Sequence, residues 1–445
     1  MIDRISKLYY FWRIHGNAAT RKVIFRKFTT NFKHVASPLT VPANHLHDLK
    51  PIKNATNAAH ISNARFESLT PLLTYYLPDS EMHRVNIITD SINNGSLFGG
   101  VGTALIFAAL LANKLNAPLR IITRTERAKS ENVEHVLSLY GIKLKQEIQF
   151  KFAAFYNPKY ELDIVKHDLF ITTSWWTTVA TIASVPNDKI IYLLQEDERM
   201  FYPYGDDRVK CDAVLKNSDI RFVINTKLLF DYLISDGLNN LPKNGLWFEP
   251  AFPSQVYVPI KKKQNSKRIF FFYARPNNLR NLFYLGIEVI EKAITQKILD
   301  LEVWDIFLVG KDIPSFTFNG NYEPVRCENL SWSEYAQLIS TVDLGLSLMS
   351  TPHPSYPPLD LVASGAVAVT NRFANKVDLS GYSENLICVD LNCDALLDGI
   401  KQGLSIAMNS SLREQNYRNN RLNTNWQVAF SEIIDLLNKD IYVSN

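Results

Sequence analysis

Four cysteines in 445 residues, Cys211, Cys327, Cys388 and Cys393, form no C-x-x-C pair and no metal-ligand spacing. That argues against a disulfide scaffold or a zinc module and suits buried thiols in a reducing compartment. The nine histidines are scattered, with no H-x-x-x-H or Cys/His cluster, so no metal is expected. No apolar run reaches the roughly 18 uncharged residues of a membrane-spanning helix. The longest candidate, Ala104 to Leu111, has the length of a core helix. G-x-G-x-x-G, Gly-Lys-Ser/Thr, G-x-S-x-G and the kinase set are missing too. Dinucleotide-fingerprint, P-loop, α/β-hydrolase and kinase chemistries are therefore set aside.

What is present is ordinary globular composition, 46% hydrophobic and 21% charged, in a chain long enough for two cores. The charge is unevenly placed. Residues 1–33 carry eight basic residues against Asp3 alone, a local +7, which leaves −3 on the rest. Tyr9, Tyr10, Phe11, Trp12, Phe25, Phe28 and Phe32 lie among those cations. Basic and aromatic residues together suit the headgroup zone of an anionic membrane. The same segment, residues 1–35, suits packing on an acidic protein body equally well. Nucleic acid is not expected as a partner, because the remainder is slightly acidic. Arg13 and His15 interrupt the first apolar run, which argues against a signal peptide. These features predict a cytoplasmic protein, peripheral on the inner membrane face if the basic segment binds lipid.

Residues 36–83, rich in Asn, Pro, His and Ser, read as a connecting segment. From Arg84 to about 250, apolar strands alternate with helical stretches: 84–89, 119–123, 169–172, 190–194 and 221–224 are strands, and helices run from Thr103 and Ser130. Residues 251–268, with Pro253, Pro259 and Lys261 to Lys263, read as a linker. The alternation restarts over 269–410, and 411–445 reads as a closing helix with Trp426, Phe430, Ile433 and Leu437 on one face. Two β/α domains are predicted.

One stretch gathers candidate ligand groups. MSTPHPSYPPLDLVASGAVAVTN, residues 349–371, runs from a strand through a polar loop into a short helix, a Gly stop and a second strand. Open parallel sheets present ligands at such a carboxyl edge. Here the loop offers His353, Ser355 and Tyr356, and the helix after Pro357-Pro358 offers unpaired N–H groups that favour an anion. Asp360, in the first turn, suits a cap or a sugar or ribose hydroxyl. His353 suits a diphosphate, a sugar hydroxyl or a structural loop.

Three other places join it. Gly99, Gly100 and Gly102 lie between a strand and a helix, where they allow close approach of a ligand or make a tight turn. In YARPNNLRNL, Arg275 and Arg280 flank a strand-to-helix turn, and Lys311 follows the next strand as a phosphate contact or a solvated lysine. Glu196, Asp197 and Glu198 follow an apolar strand in YLLQEDERMFYPYG, where a catalytic base for a hydroxyl would sit. The rival reading, an acidic metal motif in a single-domain transferase, leaves the second β/α half unexplained. Trp175-Trp176 reads as a sugar platform or as packing.

LDLVASGAVAVTN resembles the nucleotide-sugar segment of GT-B glycosyltransferases of the family-four kind, with Asp360 at the position of a Glu. HPSYPPLDLVASG, FGGVGTAL and the phrase Gln195, Glu196, Glu198, Phe201, Tyr202, Pro203 resemble bacterial rhamnosyltransferases of surface-glycan assembly. The resemblance implies two Rossmann-like domains facing a cleft, with a C-terminal helix crossing back to the first. It implies Arg275 and Arg280 on the donor diphosphate, joined by Lys311, Ser355 and Tyr356. His353 and Asp360 would lie on the donor sugar or nucleoside, and a carboxylate of 196–198 would act as the base. No cofactor or metal is implied. The donor expected is dTDP-β-L-rhamnose, with UDP- or GDP-sugars and a noncatalytic glycan- or nucleotide-binding protein as alternatives. The acceptor is a growing glycan, with a lipid-linked one giving the basic N-terminus a purpose. The family's first Glu falls at Pro352, so the retaining chemistry associated with its Glu pair is not implied.

Overall fold

The computed structural model describes residues 57–443, apart from 79, 81, 94–99, 156 and 261–265. The basic segment 1–35 and Gly99 lie outside the described residues. Among the described residues, fifteen strands form three parallel sheets. A small one pairs β1 (Thr74–Tyr76) with β5 (Leu162–Ile164). The first large sheet orders β4 (Ile148–Phe152), β3 (Leu119–Thr123), β2 (His83–Thr89), β6 (His167–Thr172), β7 (Ile190–Leu194), β8 (Arg221–Asn225) and β9 (Gly245–Phe248). The second orders β12 (Val325–Glu328), β11 (Trp304–Gly310), β10 (Arg268–Ala274), β13 (Leu344–Leu346), β14 (Val367–Asn371) and β15 (Leu386–Val389).

Helices cover both faces of each large sheet, so the inner strands are apolar on both sides instead of alternating. In β2, Val85 and Ile87 face helix α1 (Gly102–Leu115), while Ile88 joins the opposite layer with Ile122 and Phe170. That layer includes α2 (Trp175–Ile182) through Trp175, which is 2% exposed. In the second sheet, α3 (Phe283–Thr295) packs on one face and α4 (Tyr356–Ala363) on the other. Arg84 ties the small sheet to the first large one, pairing with Asp168 at 2.6 Å and with Asp163 of β5.

Two chain crossings join the halves. The tail is two helices, α5 (Ser410–Arg418) and α6 (Trp426–Val443), where the periodicity predicts one. Between them lies NNRLNTN, and Asn is a poor helix former. There the backbone pairs instead with the outgoing linker: the Phe252 N–H donates to the Asn423 carbonyl at 2.7 Å. Beyond that crossing, α6 lays Trp426, Phe430, Ile433 and Leu437 on α1 and β9. Phe430 stands 5.0 Å from Phe107 and 4.5 Å from Phe248 between ring centroids.

Candidate active site

The carboxyl ends of the two large sheets meet, and Tyr356 marks the meeting point. It opens α4, with Pro357 and Pro358 in the first turn where the missing N–H groups cost nothing. Its hydroxyl bonds Thr103 Oγ1 (2.8 Å) at the start of α1 and accepts from Asn225 Nδ2 (3.0 Å) at the end of β8. Gln195, after β7, lies at 3.5 Å and its amide donates to the Gly100 carbonyl. A Cβ on Gly100 would approach Gln195 Nε2 to 3.2 Å, a tight contact that the Gln195 side chain would have to relieve. Gly102 is the first residue of α1.

Ser355 precedes this helix with φ 70° and ψ 150°, a conformation costly for a residue with a Cβ. Its N–H donates to His353 Nδ1 at 2.9 Å, which places the imidazole proton on Nε2. Burial pushes His353 down to about 3, so the ring is neutral. Both His353 Nε2 and Ser355 Oγ are buried without a partner. The strained loop thus holds two buried polar groups without a partner among the described residues.

The three acidic residues after β7 have three different fates. Asp197 is 1% exposed and bonds the Arg199 guanidinium twice at 2.8 Å, and Arg199 also reaches Asp212 and Asp236. Glu198 accepts from the Trp175 N–H at 2.8 Å, capping α2, and burial pushes it up to about 8. Both are held by partners within the first domain. Glu196 alone faces the other domain. Its Oε2 accepts from Thr351 Oγ1 and lies 3.5 Å from Arg280 Nη1. Burial raises its pKa, against the pull of Arg280, Thr351 and Lys376.

Arg280 lies in a short turn after β10, with its guanidinium 4.2 Å from the Phe201 ring centroid. Arg275, at the end of β10, is half-buried beside Gly310 and makes no ion pair among the described residues. Lys311 follows β11, the neighbouring strand, with its backbone N–H on the Ala274 carbonyl. The two arginines therefore occupy different parts of the edge. Asp360 is inside the protein: it accepts from Tyr335 Oη at 3.1 Å, is 3% exposed, and burial pushes it up to about 7.

Sequence reasoning missed two residues. Lys376 is fully buried, with its ammonium 3.2 Å from the Met349 carbonyl; desolvation lowers it to about 8, against the field of Glu196. Its only signal was a lysine in the loop after β14. Thr351 gave no signal beyond standing directly before the PHPSY loop. Trp175 is core, while Trp176 is half-buried and donates its indole N–H to Asp90 at 2.9 Å. Among the described residues, no group of three or more His, Cys, Asp or Glu is placed to hold a metal, and no helix is long and apolar enough to cross a membrane.

Two Rossmann-like domains, a cleft between their carboxyl edges and a returning final helix define the GT-B fold. Residues 84–227 match the family model described as "WsaF, N-terminal domain" and residues 268–401 match "WsaF, C-terminal domain". The chain thus carries both domains of the WsaF family, in order. It is 25% identical over 276 residues to the O-antigen biosynthesis protein RfbC of Myxococcus xanthus, which takes in 60% of this chain. The chain spans only 20% of that relative's length. Among solved structures, a glycosyltransferase from Rickettsia africae aligns with TM-score 0.50 and 14% identity, covering 82% of this chain and 99% of its own. Anabaena HepE in complex with UDP and glucose aligns at 0.51 and 10%, covering 81% and 98%. A sucrose-phosphate synthase from Thermosynechococcus elongatus aligns at 0.53 and 10%, covering 82% and all of its own chain. At these identities the structural likeness shows the fold.

Proposed function

We propose that the protein transfers a sugar from a nucleoside diphosphate to a hydroxyl of a growing surface glycan, without a metal and with inversion. One observation carries this reading: a carboxylate of the first domain, Glu196, faces an arginine and a hydroxyl of the second across the cleft. In the reaction the acceptor oxygen bonds to the anomeric carbon as the bond to the diphosphate breaks, and Glu196 takes the hydroxyl proton. Charge growing on the leaving diphosphate falls to Arg280 and Lys376, with Arg275 and Lys311 further along the same sheet edge. His353 Nε2–H and Ser355 Oγ offer neutral donors to the donor molecule. A single displacement aided by one base inverts the anomeric centre.

The favoured donor is dTDP-β-L-rhamnose, supported by the rhamnosyltransferase resemblance and by the WsaF domains. A surface-glycan acceptor is supported by the O-antigen name of the Myxococcus relative. A lipid-linked acceptor would bring the enzyme to the inner membrane face, where the +7 segment 1–33 would hold it. Flotation with anionic vesicles, with and without residues 1–33, tests that part. The donor is tested by calorimetry with dTDP, UDP and GDP in metal-free buffer. Preferential dTDP binding, weakened by Arg280→Ala, supports the rhamnosyl reading. Preference for UDP or GDP replaces the sugar and keeps the enzyme. Binding without transfer to any acceptor favours a noncatalytic protein, and no binding at all overturns the transferase.

A further inference from the structure

Glu196 and Arg280 are asked to do two things that conflict. A base must be free to accept a proton, and an arginine on the diphosphate must turn its donors to the phosphate. Yet Arg280 Nη1 stands 3.5 Å from Glu196 Oε2, with the pair 18% and 17% exposed. The contact is one of charge: Arg280 Nη1 is buried and makes no hydrogen bond. The same carboxylate oxygen accepts from Thr351 Oγ1. The Phe201 ring lies under the guanidinium, 4.2 Å from it. A better acceptor arriving nearby can take that donor without moving the backbone.

We propose that Glu196 occupies Arg280 in place of the donor's diphosphate, so that nucleotide binding breaks their ion pair and releases Glu196 to act as the base. This rests on the transferase reading of the cleft and adds an order of events to it. Before the donor arrives, the ion pair and the Thr351 hydrogen bond hold back the rise in proton affinity that burial gives Glu196. Once the diphosphate takes Arg280, the buried carboxylate loses its main countercharge and its proton affinity rises. The groups that then face it are Thr351, Lys376, Asp197 and the Tyr356 hydroxyl. The device makes the base competent only in the complex that can use it.

Coupling of this kind is reciprocal, so removing the carboxylate charge must help the nucleotide bind. Glu196→Gln keeps the side-chain shape and an oxygen for Thr351. Titrating the full chain with dTDP, UDP and GDP should show Glu196→Gln binding the preferred nucleotide about three- to ten-fold tighter than wild type. The gain should shrink as pH falls, because burial raises the Glu196 pKa and the wild-type carboxylate takes up its proton earlier than an exposed one would; the nucleotide's own titration cancels in the ratio. In an Arg280→Ala background the same substitution should change affinity far less. Equal or weaker binding by Glu196→Gln, with wild-type binding intact and melting unchanged, overturns the competition and leaves the transferase standing. A gain that persists without Arg280 also overturns it, since the carboxylate would then act on the nucleotide through space alone. Failure of every variant and of wild type to bind any nucleotide overturns both.

Discussion

At the end of β7 the first domain offers acids, Glu196, Asp197 and Glu198, and the second domain offers Arg275, Arg280, Thr351 and Lys376 from its own sheet edge. The first edge accepts protons and the second supplies cations and neutral donors. Neither edge alone has what glycosyl transfer needs: an acid group on one side to deprotonate an acceptor, positive charge on the other to stabilise a leaving diphosphate. A second contrast lies within the first edge. Glu196 and Glu198 are two residues apart, yet one meets an arginine across the cleft and the other caps a helix inside its own domain. Partners assign the roles, and the partners come from distant parts of the chain.

The sharpest way to break that contrast is to neutralise each glutamate in turn. Glu196→Gln should lower transfer by at least about a hundredfold, the range of general-base removal, while nucleotide binding persists in calorimetry. Turnover close to wild type would end its assignment as the base. On the opposite edge, Arg280→Ala should weaken nucleoside diphosphate binding by roughly ten- to a hundredfold, as loss of a charge-assisted contact does. Arg280→Lys should recover only part of it, because the ammonium lacks the fork and the flat face over Phe201. Lys376→Met tests the buried cation. Wild-type nucleotide affinity should fall as pH rises through about 8, where the Lys376 ammonium loses its proton, and the variant's should not show that step. A wild-type profile that stays level from pH 7 to 9 would remove Lys376 from the site.

How far these contrasts were legible depends on where each residue sits. Within the two large sheets, every strand expected from periodicity is an inner strand. β4, β9, β12 and β15, which went unnoticed, are the four sheet edges. Inner strands of a parallel sheet are covered on both faces and so are apolar throughout, whereas edge strands such as IQFKF and VRCE are short and mixed. Arg280 and the loop 349–356 could be found because they follow strands at a carboxyl edge. Which of three adjacent acids is used could not, because Asp197 is settled by Arg199 nearby but Glu196 by residues more than 80 positions away. Lys376 and Thr351 carry no local pattern, and a motif does not say which face of its helix Asp360 occupies.

Glu198→Gln should do little to transfer and should act on stability instead. Burial raises Glu198 in the fold to about 8, above its unfolded value, so the folded state binds the extra proton between those limits. Stability must then fall as pH rises from about 5 to about 8, and the glutamine variant should lose that part of the slope in denaturant titrations.

The smallest effect expected is at the joint between the two edges. Tyr356→Phe removes one hydroxyl that contacts α1 and β8 together, through Thr103 and Asn225. If the domains part in solution, water can satisfy Thr103 and Asn225 in the open form, so the lost bonds weaken closure more than folding. The melting temperature should therefore move little, while nucleotide affinity drops by about fivefold, equivalent to ~1 kcal/mol for a net hydrogen bond. Thr103→Val should lose a similar amount alone and little more when added to Tyr356→Phe, since both remove the same contact. Fully additive losses would mean that Tyr356 and Thr103 act on different things, and that the two edges are held together elsewhere, at Asn375 on the Leu228 carbonyl or Tyr382 on Glu249.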